Sequence, residues 1–223
     1  MSNAMDGNKG NQRTRFLALG DSYTIGANVN ENHRWPMQLV AALRESGVQI
    51  ADPIIIAQTG WSTAELMDGI DKANPKGKFD LVSIQIGVNN QYRGYSVAEY
   101  RAEFQALLQR AIAFTGGIPK RVIVLSIPDW SVTPFAKDRD RPKIAAEIDS
   151  FNQTNQQEAN QSGVRYVDIS METRDLIADP SLLTFDGLHP SRKVYKAWTQ
   201  AILPEAQAAL EMGITENVNT SQP

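Results

Sequence analysis

Three side chains in this sequence have the types and spacing that acyl transfer needs. Ser22 follows Asp21 at the end of an apolar run, and Asp186 stands three residues before His189. Acyl transfer requires a nucleophilic hydroxyl, a base that takes its proton, and a carboxylate that fixes the tautomer of the base. A tight turn at Gly187 would let the Asp186 carboxylate accept the Nδ1 proton of His189 and leave Nε2 facing Ser22. The sequence therefore contains a candidate Ser-His-Asp triad.

Two further positions offer hydrogen-bond donors for a developing oxyanion. Gly60 has no side chain, so its backbone can approach a substrate closely with the N–H exposed, and Asn89 carries a side-chain amide. Each such donor can stabilise a transition state by roughly 3 to 4 kcal/mol. Glycine and asparagine are also common turn residues. Gly60 and Asn89 each follow a predicted strand, and together with the candidate triad they predict an acyl-transfer site.

Composition excludes several other kinds of site. The chain has no cysteine, which excludes a thiol nucleophile, a disulfide and a cysteine-ligated zinc. Its only histidines are His33 and His189, so a site with three histidine ligands is impossible. The formal charge of -3 gives no basic surface of the kind that binds nucleic acid. We expect a small-molecule substrate, no nucleic-acid partner, no metal and no cofactor.

Short apolar runs alternate with helical patterns along the chain, which predicts βαβ units and a parallel sheet. Five strands with helices between them indicate an α/β fold, a three-layer sandwich that resembles the flavodoxin-like arrangement. The default strand order for that arrangement is 2-1-3-4-5. The predicted strands are Phe16–Leu19, Ile54–Ala57, Leu81–Ile86, Val122–Ile127 and Val164–Ile169.

Capping and breaking residues mark the predicted helices. A proline is suited to the first turn of a helix, and a Ser-x-x-Glu pattern forms a capping box at its start. Pro204 is expected to kink or restart the last helix, because proline lacks the backbone donor. The remaining signals are the start at Pro36 with the stop at Gly47, the boxes Ser62/Glu65 and Ser96/Glu99, and the start at Pro142.

One domain is expected, covering residues 15–212. Residues 1–14 are interpreted as an expression scar, Met1 to Ala4, followed by a disordered terminus, and residues 213–223 as a disordered tail. No apolar run approaches the ~18 residues of a membrane span, and the sequence as it stands has no signal peptide. A cytoplasmic enzyme is the simplest interpretation, with an exported form that has lost its leader as the alternative.

The chain resembles the SGNH, or GDSL-type, family of serine esterases and lipases. The four residues that name the family match Ser22 in GDSY, Gly60 in QTGWS, Asn89 in GVNN and His189 in DGLHP. The resemblance implies that Ser22 is the nucleophile, His189 the general base and Asp186 its orienting carboxylate. It also implies an oxyanion hole formed by the Ser22 N–H, the Gly60 N–H and the Asn89 side chain. Asp21 is then a structural residue of the turn.

The chain departs from the family pattern at two positions. Tyr23 replaces the usual leucine after the serine, and Asn90 stands where many members have aspartate. A charged hydrogen bond from position 90 to the first block is therefore not expected, whereas the donor at Asn89 is kept.

The substrate is expected to be an ester of the acyl, acetylated-sugar or lysolipid class, with short acyl or acetyl esters favoured. Aromatic residues near the strand ends could line its pocket, and the loop 128–141 could form a lid or wall. Two alternatives stay open: a flavodoxin-like binding protein in which Ser22 is only a hydrogen-bond donor, and an inactive carbohydrate-binding module. The predicted pocket residues are Tyr23, Trp61, Tyr92 and Trp130.

Overall fold

A five-stranded parallel sheet forms the centre of the fold. The computed structural model describes residues 13–170, 174–175 and 179–219. The strand order is β2-β1-β3-β4-β5, and every neighbouring pair is parallel, which confirms the predicted α/β architecture and order. The strands are β1 Phe16–Gly20, β2 Ile54–Ala57, β3 Leu81–Gln85, β4 Val122–Leu125 and β5 Arg165–Val167.

Burial explains why these segments form a parallel sheet. All residues of β1, β3 and β4 are buried, whereas the edge strands β2 and β5 are partly exposed. Parallel strands covered on both faces need a continuous apolar run, because neither face meets water.

Three strands end earlier than the sequence predicted. Ile86 and Ile127 are buried, but they lie outside the strands. Side chains take their backbone groups instead: Tyr100 donates its hydroxyl proton to the Ile86 carbonyl, and Asn152 bonds both the N–H and the carbonyl of Ile127. Beyond the end of β5, the Ile169 N–H likewise donates to Ser126 Oγ. Burial therefore extends beyond strand pairing at this edge of the sheet.

Helices cover both faces of the sheet. The first and last long helices, α2 and α7, pack against each other, and α5 packs against both α3 and α6 on the opposite face. Trp35 of α2 and Trp198 of α7 are fully buried. The helices are α1 Ser22–Ile25, α2 Trp35–Glu45, α3 Thr63–Ala73, α4 Val88–Tyr92, α5 Val97–Phe114, α6 Arg141–Gln161 and α7 Arg192–Asn219.

The helix boundaries follow the capping signals at α3 and α5 but not the proline in α7. Both predicted capping boxes are formed, by Ser62 with Glu65 and by Ser96 with Glu99. The prediction that Pro204 restarts the last helix is wrong, because α7 continues through it and past Gly213. Pro204 is exposed, so its ring faces solvent and not the sheet.

The predicted loop 128–141 contains two short 3-10 turns, Trp130–Val132 and Pro134–Ala136. A further such turn, Pro180–Leu182, lies in the stretch before Asp186. The predicted expression scar falls outside the described residues. Among the helices that are described, none is both long and apolar enough to cross a membrane.

Candidate active site

The carboxyl ends of three neighbouring strands bring the predicted residues to one edge of the sheet. In the register, Gly20 of β1 pairs with Ala57 of β2 and with Gln85 of β3. Ser22, Gly60 and Asn89 follow these three positions within a few residues. This is the edge at which open parallel sheets bind their ligands.

Ser22 is the first residue of α1. Asp21 caps this short helix by accepting a 3.0 Å hydrogen bond from the Tyr23 N–H. Gly20 allows α1 and β3 to approach closely here, because a Cβ at this position would lie 2.2 Å from Thr24 Oγ1 and 2.5 Å from the Gln85 carbonyl oxygen. The turn leaves Ser22 with only 5% of its surface exposed, facing a cavity.

Asp186 and His189 form the hydrogen bond that the sequence predicted. The His189 Nδ1 lies 2.6 Å from Asp186 Oδ2. The other carboxylate oxygen, Oδ1, accepts from the Leu188 N–H at 2.9 Å, the His189 N–H at 3.0 Å and the Thr184 hydroxyl at 2.9 Å. A turn closed by the Gly187 N–H and the Thr184 carbonyl holds the segment.

The surroundings of Asp186 keep its carboxyl ionised. Partial burial acts to raise its pKa, but the hydrogen bonds from the His189 ring, the His189 and Leu188 N–H groups and the Thr184 hydroxyl together outweigh burial. The pKa of Asp186 is therefore well below its usual range. A carboxylate that stays charged favours the Nδ1–H tautomer of the imidazole beside it.

Aromatic rings fix the position of the imidazole. The Tyr23 ring packs against His189 with ring centroids 5.5 Å apart, and on its other side it meets Trp198 of α7 at 6.0 Å. His189 is 8% exposed and faces the same cavity as Ser22. Tyr23, predicted as a pocket residue, thus both lines the cavity and supports the histidine.

Gly60 and Asn89 line the same cavity as Ser22 and His189. Gly60 has φ +88°, a left-handed conformation that favours glycine, and no atom lies within 4 Å of where a Cβ would be. Asn89 of α4 donates one Nδ2 proton to the Trp61 carbonyl at 2.9 Å. An amide nitrogen carries a second proton, which is the donor available to a ligand.

Four hydrogen bonds fasten the loop 60–63 to α4 and the residue after it. Besides the Asn89 bond, Arg93 donates to the Gly60 carbonyl at 2.7 Å, and the Thr63 N–H donates to Asn90 Oδ1 at 3.1 Å. Asn90 also donates to the Thr63 hydroxyl at 2.7 Å. Position 90 is thus bonded to Thr63 of the second block, and its amide also donates to the Glu103 carboxylate at 3.3 Å, a bond that an ionised aspartate could not donate.

The cavity that unites these residues has a volume of about 240 Å³. Tyr92 and Trp130 line it as predicted, and Tyr92 is 48% exposed at its mouth. Trp61 does not face this space: its six-membered ring packs against Gly69 of α3 instead. The lining residues are Ser22, Tyr23, Thr59, Gly60, Val88, Asn89, Tyr92, Trp130, Phe135, Leu188 and His189.

A larger cavity of about 530 Å³ lies at the amino-terminal edge of the sheet, where Thr14, Asp80 and Arg121 precede β1, β3 and β4. It contains none of the residues predicted to do chemistry, so size alone does not identify the site. Within the described part of the chain, no group of three His, Asp or Glu side chains is arranged to hold a metal ion.

Sequence reasoning missed several residues of the site. Thr184 and Asn28 both bond the Asp186 side chain, and Arg93 holds the Gly60 carbonyl. None of them lies in a periodic apolar pattern or a capping motif, so no local signal could have found them. Leu188 of the cavity wall was missed as well, whereas Phe135 belongs to the loop 128–141 that was expected to form such a wall.

A parallel sheet whose carboxyl edge carries a serine, a carboxylate-bound histidine and amide donors around one cavity has the composition of an esterase site. The chain belongs to the GDSL-like lipase/acylhydrolase family, whose model matches residues 18–197. It is therefore a carboxylic ester hydrolase. No curated protein matches the sequence.

Solved structures with low sequence identity share the fold. TesA aligns with a TM-score of 0.70 at 19% identity, covering 88% of this chain and 100% of its own. Axe2, an acetylxylan esterase from Geobacillus stearothermophilus, aligns with a TM-score of 0.67 at 19% identity, over 86% of this chain and 94% of Axe2. The psychrotrophic esterase EstA from Pseudoalteromonas sp. gives 0.62 at 17% identity, over 92% and 99%.

Proposed function

We propose that this protein hydrolyses short-chain carboxylic esters through an acyl-enzyme on Ser22. The observation that carries the proposal is the 2.6 Å bond between His189 Nδ1 and Asp186 Oδ2, in a cavity that both His189 and Ser22 line. This bond directs the second ring nitrogen, Nε2, away from the carboxylate and makes it the available base.

In the first step, Ser22 Oγ attacks the carbonyl carbon of the ester while His189 Nε2 takes the hydroxyl proton. The carbonyl oxygen becomes an oxyanion, for which the Ser22 N–H, the Gly60 N–H and the Asn89 amide are the proposed donors. When the intermediate collapses, the bond to the alcohol oxygen breaks and the alcohol leaves with the proton from His189. Asp186 stabilises the imidazolium that forms meanwhile.

In the second step, water attacks the acyl-enzyme and gives a proton to His189. The bond to Ser22 Oγ then breaks, the proton returns to Ser22, and the carboxylic acid is released. Every proton transfer in this cycle uses groups of the chain itself and water, so the mechanism needs no metal or organic cofactor.

The cavity supports acetyl or other short acyl esters as substrates. Its volume of about 240 Å³ is below the roughly 300 to 1,000 Å³ typical of sites for drug-sized ligands. The exposed ring of Tyr92 beside Trp130, with centroids 5.7 Å apart, offers an aromatic surface to the alcohol part of the substrate. A sugar ring would suit that surface, and the likeness to an acetylxylan esterase supports acetylated sugars as one source of the ester.

An acyl-length series tests the substrate class. With p-nitrophenyl acetate, butyrate, octanoate and palmitate, we expect kcat/KM to be highest for the two short esters, because longer chains exceed the cavity. Acetylated xylose and an unmodified lysolipid extend the comparison to natural alcohols. Preference for palmitate or for the lysolipid would contradict the short-acyl assignment without affecting the proposed chemistry.

A further inference from the structure

We propose that Asn28 is a positioning residue for the triad carboxylate. The Asn28 amide donates through Nδ2 to Asp186 Oδ2 at 2.6 Å, and this is the same oxygen that bonds His189 Nδ1. The inference rests on the proposed function, in which Asp186 orients the base. It adds a member to the hydrogen-bond chain that runs from the base into the protein.

The two oxygens of Asp186 are held in different ways. Oδ1 accepts three hydrogen bonds, and all three donors come from the turn around Asp186 itself. Oδ2 accepts from the imidazole and from Asn28, which lies 158 residues earlier in the chain. Among the described residues, Asn28 is thus the only donor outside this turn that fixes the oxygen facing His189.

The backbone at Asn28 is suited to this contact. Asn28 has φ +64°, and asparagine is one of the few residues that adopt the left-handed region readily. The loop that carries it is attached to the nucleophile, because the Ala27 N–H donates to the Ser22 carbonyl at 3.0 Å. Asn28 therefore couples the position of the Ser22 turn to that of the Asp186 turn.

Removing the amide should have two chemical effects. The carboxylate would lose an anchor, so the imidazole would spend less time aimed at Ser22, and kcat would fall with little change in KM. Oδ2 would also accept one hydrogen bond fewer, so more of its negative charge would act on the imidazole and stabilise the protonated form more strongly. The acid limb of the kcat/KM profile would then move to higher pH.

The other titratable or charged groups around this pair are unchanged by the substitution. Tyr23 of α1 packs on the imidazole, and Tyr195 of α7 is within electrostatic range of Asp186 and Tyr23. Asp21 and Asp129 lie within electrostatic range of Tyr23, and Arg34 within that of Tyr195. A shift of the acid limb on altering position 28 is therefore assigned to the Asn28–Asp186 bond.

The test compares Asn28→Gly with Asn74→Gly. Glycine keeps the left-handed backbone and removes only the side chain, and Asn74 is a matched control because it is the other non-glycine residue with positive φ in the described chain, at the exposed end of α3. For Asn28→Gly we expect kcat/KM to fall about tenfold, far less than the ~10⁴ from losing an orienting carboxylate, with the acid limb at higher pH. Asn74→Gly should match the wild type in both readouts.

Asn28→Asp is a second variant that keeps the size of the side chain. It places another carboxyl group against Asp186, so the added negative charge should move the acid limb further up than Asn28→Gly does. If Asn28→Gly fails to fold, this variant carries the test through kcat: the added charge alone would move only the acid limb, whereas loss of the amide donor should also lower kcat at pH values above that limb.

The outcomes separate this inference from the proposed function. If the wild type is active and both position-28 variants match it in kcat/KM and in the position of the acid limb, the role of Asn28 is overturned but the proposed function is not. If both position-28 variants lost thermal stability to the same extent but kept the acid limb of the wild type, the role of Asn28 would also be overturned. A contact that only stabilises the fold would give that result. A wild type that neither turns over esters nor reacts at Ser22 would overturn the proposed function and the role of Asn28 together.

Discussion

The pKa values of two carboxyl groups near Ser22 are shifted in opposite directions because their surroundings differ. Asp186 is half-buried and accepts several hydrogen bonds, and its pKa is lowered. Asp21 is 1% exposed, and burial raises its pKa to about 7 despite hydrogen bonds from the backbone of Tyr23 and of Asp21 itself. Such a divergence commonly separates functional roles. Here it supports Asp186 as the charged partner of the base and Asp21 as a structural cap.

The raised pKa of Asp21 predicts a specific dependence of stability on pH. A carboxyl group with a folded pKa of about 7 and an unfolded value of 3.8 favours folding at low pH, and this contribution is lost as pH rises between the two values. Asp21→Asn resembles the protonated form, so the variant should be more stable than the wild type at about pH 8 but not at about pH 4. Because one pKa unit corresponds to ~1.4 kcal/mol, the free energy of unfolding should rise by at most about 4 kcal/mol.

Urea unfolding of both proteins across this pH range measures the effect. Asp68→Asn, which alters an exposed carboxyl group of α3, is the control and should show no pH-dependent gain. A stability difference between Asp21→Asn and the wild type that does not change with pH would contradict the assignment.

Residue types identified the central site, but side-chain direction needed the fold. Ser22, Asp186 and His189 could be selected because few side chains support acyl transfer and the chain has only two histidines. Trp61 is adjacent to Gly60, yet its ring packs on Gly69, since α3 passes beneath it. Asn28 could not be selected at all, because its partner lies 158 residues away.

At the scale of elements, the oxyanion donors depend on the contact between the loop 60–63 and α4. Arg93 follows α4, donates to the Gly60 carbonyl and pairs at 2.9 Å with Glu65, which caps α3. One side chain therefore connects the loop with Gly60, the start of α3 and the end of the helix with Asn89. This arrangement holds the Gly60 peptide in its left-handed conformation.

Arg93→Met should weaken catalysis more than stability. Without the bond to its carbonyl, the Gly60 peptide is held less firmly. We therefore expect kcat to fall about threefold to tenfold with KM unchanged. This is less than the roughly 10²–10³-fold loss of kcat that follows removal of an oxyanion-hole donor. Arg110→Met is the matched control: Arg110 is equally exposed and pairs with Asp71 of the same helix α3, but it does not contact Gly60. Steady-state kinetics of both variants make the comparison.

Equal kcat values for Arg93→Met and Arg110→Met would show that the Gly60 contact has no catalytic role. A parallel loss of stability in both variants would be the expected effect of removing a surface ion pair, which is small.

The elements themselves were largely predictable, whereas their ends were not. Short runs rich in β-branched and other apolar residues identified all five strands, and the two Ser-x-x-Glu boxes identified the starts of α3 and α5. Ile127 was assigned to β4 because it continues the apolar run, but Asn152 takes its backbone hydrogen bonds. Similarly, Pro204 lies on the exposed side of α7, which a local rule about proline does not consider.

At the scale of the whole molecule, the site exists only in the folded chain. Ser22 follows the first strand, Gly60 and Asn89 follow the second and third, and Asp186 and His189 precede the last helix. The sheet register brings the first three groups together, and Tyr23, packed between His189 and Trp198, joins the last group to them. The cytoplasmic location stays a prediction.

Covalent labelling with a fluorophosphonate tests the central claim most directly, because the reagent forms a stable bond only with an activated serine. We predict one adduct, mapped by mass spectrometry to Ser22, and loss of p-nitrophenyl acetate hydrolysis in proportion to labelling. Ser22→Ala should take up no label and show no turnover, with an unchanged circular dichroism spectrum. Hydrolysis retained by a folded Ser22→Ala variant, or an adduct on a different residue, would contradict the assignment of Ser22 as the nucleophile.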